Sequence, residues 1–259
     1  MPAVDAADGK MLLAIKPAIN MTPERLARIQ TMFSNRQPDL TVCLENVHKT
    51  HNLSAVVRTA DAVGIHDVHA IMHLDNPLKS GLRTGTAKGT QNWVNVHKHD
   101  ELSQALAIFK RQGMQIVATN LSDRAVNYTE IDYTKPTALI LGQEKYGISQ
   151  QALAAADHHV VVPMLGMVQS LNVSVAGALI LYQAQQQRLA AGMYGGECKL
   201  PIAEQQRLLF ERGHPIFAEA CRRKGLPYPT VNQQGEIEAD ELWWQQMQMT
   251  DEAWQANQA

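Results

Sequence analysis

The sequence predicts an α/β fold: a parallel β-sheet with helices on both faces and a helical extension at each end. Three observations carry that expectation. Strand-length apolar runs alternate with helix-length amphipathic runs up to about residue 190. The runs Thr137–Leu141 and 160–162 are apolar at every position after Thr137, as strands covered on both faces must be. Each is then followed by a polar loop of unusual composition: Gly142-Gln143-Glu144-Lys145-Tyr146-Gly147 after the first, and Pro163 through Gly166 to Gln169-Ser170-Leu171-Asn172 after the second. An apolar helical stretch over 173–182 follows the second loop. Strand, polar loop and helix start is the geometry of a ligand site at the carboxyl ends of parallel strands.

The first element in the chain is a helix opened by Thr22 as N-cap, Pro23 in its first turn and the first-turn acid Glu24. Leu26, Ile29 and Phe33 share one face, and the helix is expected to run to about Arg36. Its polar face presents Arg25, Arg28 and Arg36, either as a solvated surface or as an RNA-contacting arm. A buried strand is expected over 40–44. In the polar loop that follows, Asn52 is positioned to cap a helix over 53–63, with Gly64 just beyond its end. Ala55, Val56, Thr59, Ala60 and Val63 are the inward candidates. Arg58 stands among small and apolar neighbours with Asp61 three residues on, so a surface ion pair and a functional cation are both open readings.

A strand over 68–72 leads into residues 76–91, which hold three glycines with Lys79, Arg83 and Lys88 and almost no apolar content. This is expected to be a mobile loop, suited to backbone phosphates or simply to solvent. A strand at 94–97 follows, then a helix over 101–112 capped by Asp100 and closed by Gly113, then the strand Gln115–Thr119 leading to Asn120 and Leu121. Beyond residue 191 the pattern changes to short helices at 202–212 and 216–224, a Gly225-Leu226-Pro227-Tyr228-Pro229 turn and a last helix with Trp243, Trp244 and Met247. Arg222, Arg223 and Lys224 beside Tyr228 suit RNA, and equally a helix C-terminus favoured by its dipole. The expected organisation is a disordered extension over 1–20, a helical extension over 21–38, the α/β domain over 39–190 and a C-terminal helical extension over 191–259.

Charge and composition narrow the function. The net charge of −2 conceals an asymmetry: residues 228–259 carry six acids and no Lys or Arg, leaving all 23 basic residues against 19 acids in the rest of the chain. That mildly basic body permits phosphate binding. No run approaches the roughly 20 apolar residues that a membrane helix needs. Cys43, Cys198 and Cys221 are odd in number and far apart, which points to a reducing cytoplasm and away from a disulfide framework or a Cys-type zinc site. There is no GxGxxG after the first strand, no GxxxxGK[ST] and no GxSxG, which removes the conventional dinucleotide, P-loop and serine-hydrolase readings. His66, His69 and His73 fall across a turn and a strand with no completing Cys or acid, so no metal is expected.

Three segments then resemble, in the expected order, the motifs of the SpoU (TrmH) family of RNA ribose 2′-O-methyltransferases in the SPOUT superfamily. They are Asn52 through Arg58 to Asp61, the Leu141-Gly142-Gln143-Glu144 turn, and Val162-Pro163-Met164 with Gln169-Ser170-Leu171-Asn172. The flanks, from Met21 through Arg36-Gln37-Pro38 and from Gly225 through Gln234-Gly235-Glu236, are similar to the branch of the family that modifies guanosine 18 in the D-loop of tRNA. The resemblance implies a deep trefoil knot at the C-terminal half of the sheet, S-adenosylmethionine as methyl donor with no metal, and a cytoplasmic homodimer joined through the knot. It implies cofactor contacts from Thr119, Leu121, Leu141, Gly142, Val162, Met164, Ser170 and Leu171, and catalytic roles for Arg58, Asn52, Glu144, Ser170 and Asn172. Arg25, Arg28, Arg36, Lys79, Arg83, Lys88, Arg222, Arg223 and Lys224 are the cations it offers to tRNA. Ribosomal RNA as substrate, and a non-catalytic knotted RNA-binding protein, are the alternatives.

Overall fold

In the computed structural model, residues 21–47, 49–72, 93–143 and 146–258 are described, and they divide into two compact units. One is Ser34–Lys199; the other joins the chain up to Phe33 with Leu200–Ala259. The expected extension at 1–20 and the 76–91 loop, with Lys79, Arg83 and Lys88, lie outside the described residues.

The larger unit is built on seven strands: β1 (Leu40–Glu45), β2 (Asp67–Ile71), β3 (Asn95–His99), β4 (Gln115–Thr119), β5 (Val126–Asn127), β6 (Thr137–Leu141) and β7 (His158–Val161). They lie in the order β3-β2-β1-β6-β4-β7-β5, and every pairing among them is parallel. The pleat sends alternate residues to opposite faces. Leu40, Val42 and Leu44 of β1, with Leu139 and Leu141 of β6, join one apolar cluster. That cluster is completed by the helices α2 (Thr50–Ala62) and α5 (Val173–Ala190). Cys43 of β1, with Ala138 and Ile140 of β6, joins a second cluster with α3 (Leu102–Arg111) and α4 (Gln150–Ala155) on the opposite face. Helices therefore cover both faces, which is why these strands read as continuous apolar runs.

α2 begins at Thr50 with Lys49 at the N-cap and no side-chain cap bond, so Asn52 is not the cap the sequence suggested. It sits inside the first turn and is 2% exposed. The predicted end is close to the observed one: Val63 is the C-cap and Gly64, with φ of +84°, takes the left-handed conformation behind it. Ala55, expected to pack inward, is exposed, and Thr59 is only partly covered; Leu53, Val56, Val57 and Ala60 form the buried stripe. α3 likewise starts one residue late, with Glu101 rather than Asp100 at the N-cap. α5 buries Val173, Gly177, Ile180, Leu181 and Ala184 at helical spacing. A Cβ at Gly177 would lie 2.7 Å from Leu141 Cδ1, so glycine sets how closely α5 approaches β6. Short β5, the 3₁₀ turn Tyr128–Glu130 and α4 carried no sequence signal strong enough to be expected.

Two arginines are interior. Arg36 is 1% exposed, against the expectation of an RNA-facing side chain. The helix α1 (Pro23–Ser34) ends before it, and its guanidinium turns inward to donate to Ile65 O (2.7 Å), Trp93 O (2.7 Å) and Asp61 Oδ1 (2.8 Å). Asp61 is thus paired with Arg36 and not with Arg58. Arg188, on α5, is fully buried and donates to Tyr133 O, Gln37 Oε1, Lys135 O and both Asp39 Oδ1 (2.6 Å) and Asp39 O. A buried guanidinium is tolerated only when so many acceptors converge on it.

The smaller unit contains α1, α6 (Ile202–Gly213), α7 (Pro215–Lys224), a short antiparallel pair β8 (Thr230–Val231) and β9 (Ile237–Glu238), α8 (Glu241–Gln248) and α9 (Asp251–Gln258). Where one last helix was expected, there are two. An aromatic cluster of Phe210, Phe217, Tyr228, Trp243 and Trp244 supplies its interior contacts. Lys224 is 7% exposed, and its ammonium donates to the carbonyls of Gln246 (2.7 Å), Met247 (3.0 Å) and Met249 (2.7 Å). It satisfies the open C-terminal carbonyls of α8, which removes it from the cations available to RNA.

His69, 4% exposed, shares a 2.8 Å hydrogen bond with His99 and stacks on His97, whose Nε2 lies 2.7 Å from Asp67 Oδ1. Burial, then the neighbouring His97 and His99, lower the His69 pKa to about 4. The unfolded imidazole, at about 6.5, takes up its proton first as pH falls, so the folded state is favoured fully above that value and loses ground between it and about 4. Chemical denaturation at pH 7 and pH 5 is expected to show a lower stability at pH 5, and His69→Leu to flatten that difference.

Candidate active site

A cavity of about 510 Å³ opens at the carboxyl ends of β4, β6 and β7. Its wall is assembled from four places in the chain: Thr119, Asn120 and Leu121 after β4; Leu141, Gly142, Gln143 and Gly147 after β6; residues 160–162 at the end of β7; and residues 169–173 with Ala176 at the start of α5. Local chemistry shapes each piece. Gln143 and Gly147 exchange backbone hydrogen bonds of 3.0 and 2.9 Å, closing the turn after β6. Gly142 lies against it so closely that a Cβ would sit 2.3 Å from the Gly147 carbonyl, so only glycine fits. Asn120 N donates to Val160 O at 3.1 Å, holding the β4 loop to β7.

Asn172 organises the fourth piece. Its Oδ1 accepts from Ser174 N (2.9 Å) and Ser174 Oγ (2.6 Å), capping α5, while its Nδ2 donates to Asn52 Oδ1 at 3.2 Å. One side chain therefore starts α5, lines the cavity and reaches α2. Asn52 would be misassigned from sequence alone because a cap and a buried bonding partner look identical there. Glu45 at the end of β1 is 4% exposed and accepts from Ser149 N at 2.8 Å, which ties the segment after the 143–147 turn to the sheet.

A family model described as the SpoU rRNA Methylase family matches residues 39–182, and a second, SpoU rRNA methylase C-terminal, matches residues 186–240. The chain belongs to the SpoU methylase family. It is 60% identical over 231 residues to the tRNA (guanosine(18)-2′-O)-methyltransferase of Escherichia coli K12, covering 88% of this chain and 99% of that one. It is 51% identical over 175 residues to the enzyme of the same name from Thermus thermophilus, covering 67% of this chain and 88% of that one. Among solved structures, the Aquifex aeolicus TrmH/SpoU tRNA modifying enzyme matches with a TM-score of 0.68 at 44% identity, over 74% of this chain and 96% of that one.

Within this SpoU methylase, the expected cofactor contacts Thr119, Leu121, Leu141, Gly142, Val162, Ser170 and Leu171 all line the cavity. Met164 does not; it is half-buried in the loop ahead of the lining residues. Glu144 lies outside the described residues. Asn52 meets the site through Asn172. Arg58 is exposed on the outward face of α2, and it is not part of the cavity wall of a single chain. Val173 and Ala176 were not foreseen as lining, since a helix start this apolar reads as core. Of the cations expected to meet RNA, Arg25, Arg28, Arg222 and Arg223 are exposed.

Gly142→Ala forces the 143–147 turn to shift, and it is expected to lower the melting temperature and close the cavity. Calorimetry and ligand titration on the purified variant measure the two effects. Asn172→Ala removes the α5 cap and should cost about 1 kcal/mol of stability, with Asn172→Asp retaining most of it.

Proposed function

We propose that this chain is an S-adenosylmethionine-dependent methyltransferase that transfers a methyl group to the ribose 2′-oxygen of guanosine 18 in the D-loop of tRNA. The observation that carries the reading is the 60% identity across 99% of the E. coli tRNA (guanosine(18)-2′-O)-methyltransferase. The match of both flanking segments favours tRNA over ribosomal RNA as the substrate. A tRNA substrate and widely spaced free cysteines support the cytoplasm as the place of action.

The cavity suits the cofactor. Its volume lies within the range of small-molecule sites, its lining mixes backbone edges with apolar walls, and the bare Gly142 lets backbone approach a ligand closely. S-adenosylmethionine has no pyrophosphate, so no glycine-rich phosphate cradle is needed. When bound, it supplies an electrophilic methyl on a sulfonium, already a good leaving group, and the reaction requires no metal in principle. Thr119, Leu121, Leu141, Gly142, Val162, Ser170 and Leu171, which line the cavity, are assigned to hold it.

The protein's remaining task is to align a ribose hydroxyl with that methyl and to ease the loss of its proton. Ser170 and Asn172 present polar groups at the α5 side of the cavity, Asn52 fixes the orientation of the Asn172 amide, and Glu144 is assigned to orient the nucleotide. Arg58 stays protonated and is a poor base, so its role is to stabilise the developing alkoxide or a neighbouring phosphate. Because Arg58 points outward on α2, we assign the site to a homodimer. Helices α2 and α5 pack side by side on one face of the sheet, and α5 leaves Val175, Leu179 and Tyr182 exposed there. A second copy covering this face would bring Arg58 to the cavity of its partner. The reading includes the deep knot, which is supported by the path after β6: the chain adds β7 beyond β4 and returns so that Leu171 joins Leu141 in the cavity wall.

Methylation of unmodified tRNA and ribosomal RNA, with mapping of the modified ribose, tests the substrate; label confined to guanosine 18 is the expected outcome, and no transfer to either RNA removes the reading. Arg58→Ala is expected to lower transfer about a hundredfold or more while S-adenosylmethionine affinity stays near wild type. Loss of both together would assign Arg58 to folding instead. Mixing Arg58→Ala with Asn172→Ala chains is expected to restore part of the activity if the site is shared between copies.

A further inference from the structure

Gly142, Gln143 and Gly147 form one side of the cavity wall, and the backbone bonds between Gln143 and Gly147 close that turn on itself. Where the turn sits is decided by the residues that follow it. A Cβ on Gly142 would collide with both the Gly147 carbonyl and Ile148 N, so the 147–148 backbone is pressed against the cavity wall at Gly142. Ile148 is 9% exposed and joins the apolar cluster that α3 and α4 cover. Ser149 comes next, and its backbone N donates to Glu45 Oε2 at 2.8 Å. Ser149 is the N-cap of α4 and its Oγ accepts from Ala152 N at 3.1 Å, so its own N–H lies ahead of the helix and needs an acceptor from elsewhere in the chain.

Glu45 is placed to supply it. Leu44 of β1 pairs with Leu141 of β6, which sets Glu45 level with Gly142, and the pleat turns its side chain to the same face as Cys43, toward α4. A carboxylate that accepts from a backbone N–H makes a charge-assisted bond, roughly twice as strong as a neutral one. We propose that Glu45 is a positioning residue for the cofactor: by holding Ser149 N it sets where the 147–148 backbone lies, and through that backbone the Gly142 edge of the cavity. Glu45 is not itself part of the cavity wall, so it acts through the turn. By sequence it opens the polar loop after the first strand; in the fold it is the last residue of β1 and is buried.

This role rests on the reading of the cavity as an S-adenosylmethionine site, so cofactor and RNA are measured separately. Binding of S-adenosylmethionine, by calorimetric titration well below the melting temperature, and binding of unmodified tRNA are compared for wild type, Glu45→Ala, Glu45→Gln and Ser149→Ala. Glu45→Ala is expected to weaken cofactor binding about tenfold, as loss of one charge-assisted hydrogen bond does, with tRNA affinity unchanged. Glu45→Gln keeps a neutral acceptor and is expected to lose about threefold. Ser149→Ala removes the α4 cap but keeps the N–H that Glu45 holds, so the melting temperature should fall while cofactor affinity stays near wild type. Cofactor binding by Glu45→Ala within about twofold of wild type would overturn the proposal. So would a Glu45→Gln no better than Glu45→Ala, an equal cofactor loss in Ser149→Ala, or a parallel fall in tRNA binding, each of which assigns Glu45 to stability alone. A wild type that binds no S-adenosylmethionine removes this role together with the cofactor reading. One that binds it with the expected pattern, yet methylates no RNA, sinks the proposed function and leaves the role of Glu45 standing.

Discussion

The side chain of Asn172 sets the geometry on which the candidate site depends. Its oxygen closes the first turn of α5, and its amide hydrogen reaches Asn52 inside α2. Two helices that share one face of the sheet are thereby registered to each other at the cavity. Neither contact is strong alone, since a capping bond and a neutral side-chain bond contribute about 1 kcal/mol each. Their value lies in direction: they fix where the polar groups of a loop without regular structure must point. Preorganisation of this kind is what a methyl transfer needs from a protein when the leaving group is already good.

The distribution of positive charge follows from a different constraint. A guanidinium or ammonium can be interior only where several carbonyls converge, and three sites among the described residues meet that condition: Arg36 between β2 and the start of β3, Arg188 beneath the 133–135 segment, and Lys224 at the end of α8. These cations serve the fold. Those left at the surface, Arg28 among them, can meet a polyanion. Counting basic residues along the chain cannot separate the two classes, because interior acceptors come from segments far away in sequence.

The parallel sheet and its two covering layers were legible because their causes are local. Thr137–Leu141 is buried throughout because both its faces are packed, and Gly64 closes a helix because the backbone there is left-handed. Family motifs located the cavity as well: seven of the eight residues expected to hold the cofactor line it. The elements that escaped notice were short or half-exposed. β5 has two residues and α4 six, and such segments owe their form to the strands and helices they touch.

By itself, the sequence determined the alternation of strands and helices, the apolar faces that pack them and the identity of the loops at the carboxyl edge of the sheet. Each of these follows from composition and spacing over short stretches of chain. The tertiary structure alone decided that Asn52 meets Asn172 instead of capping its own helix, that Asp61 is taken by Arg36 and not by Arg58, and that Arg58 faces outward. Those outcomes turn on which donors and acceptors the folded backbone brings within about 3 Å, and separation along the chain says nothing about that distance.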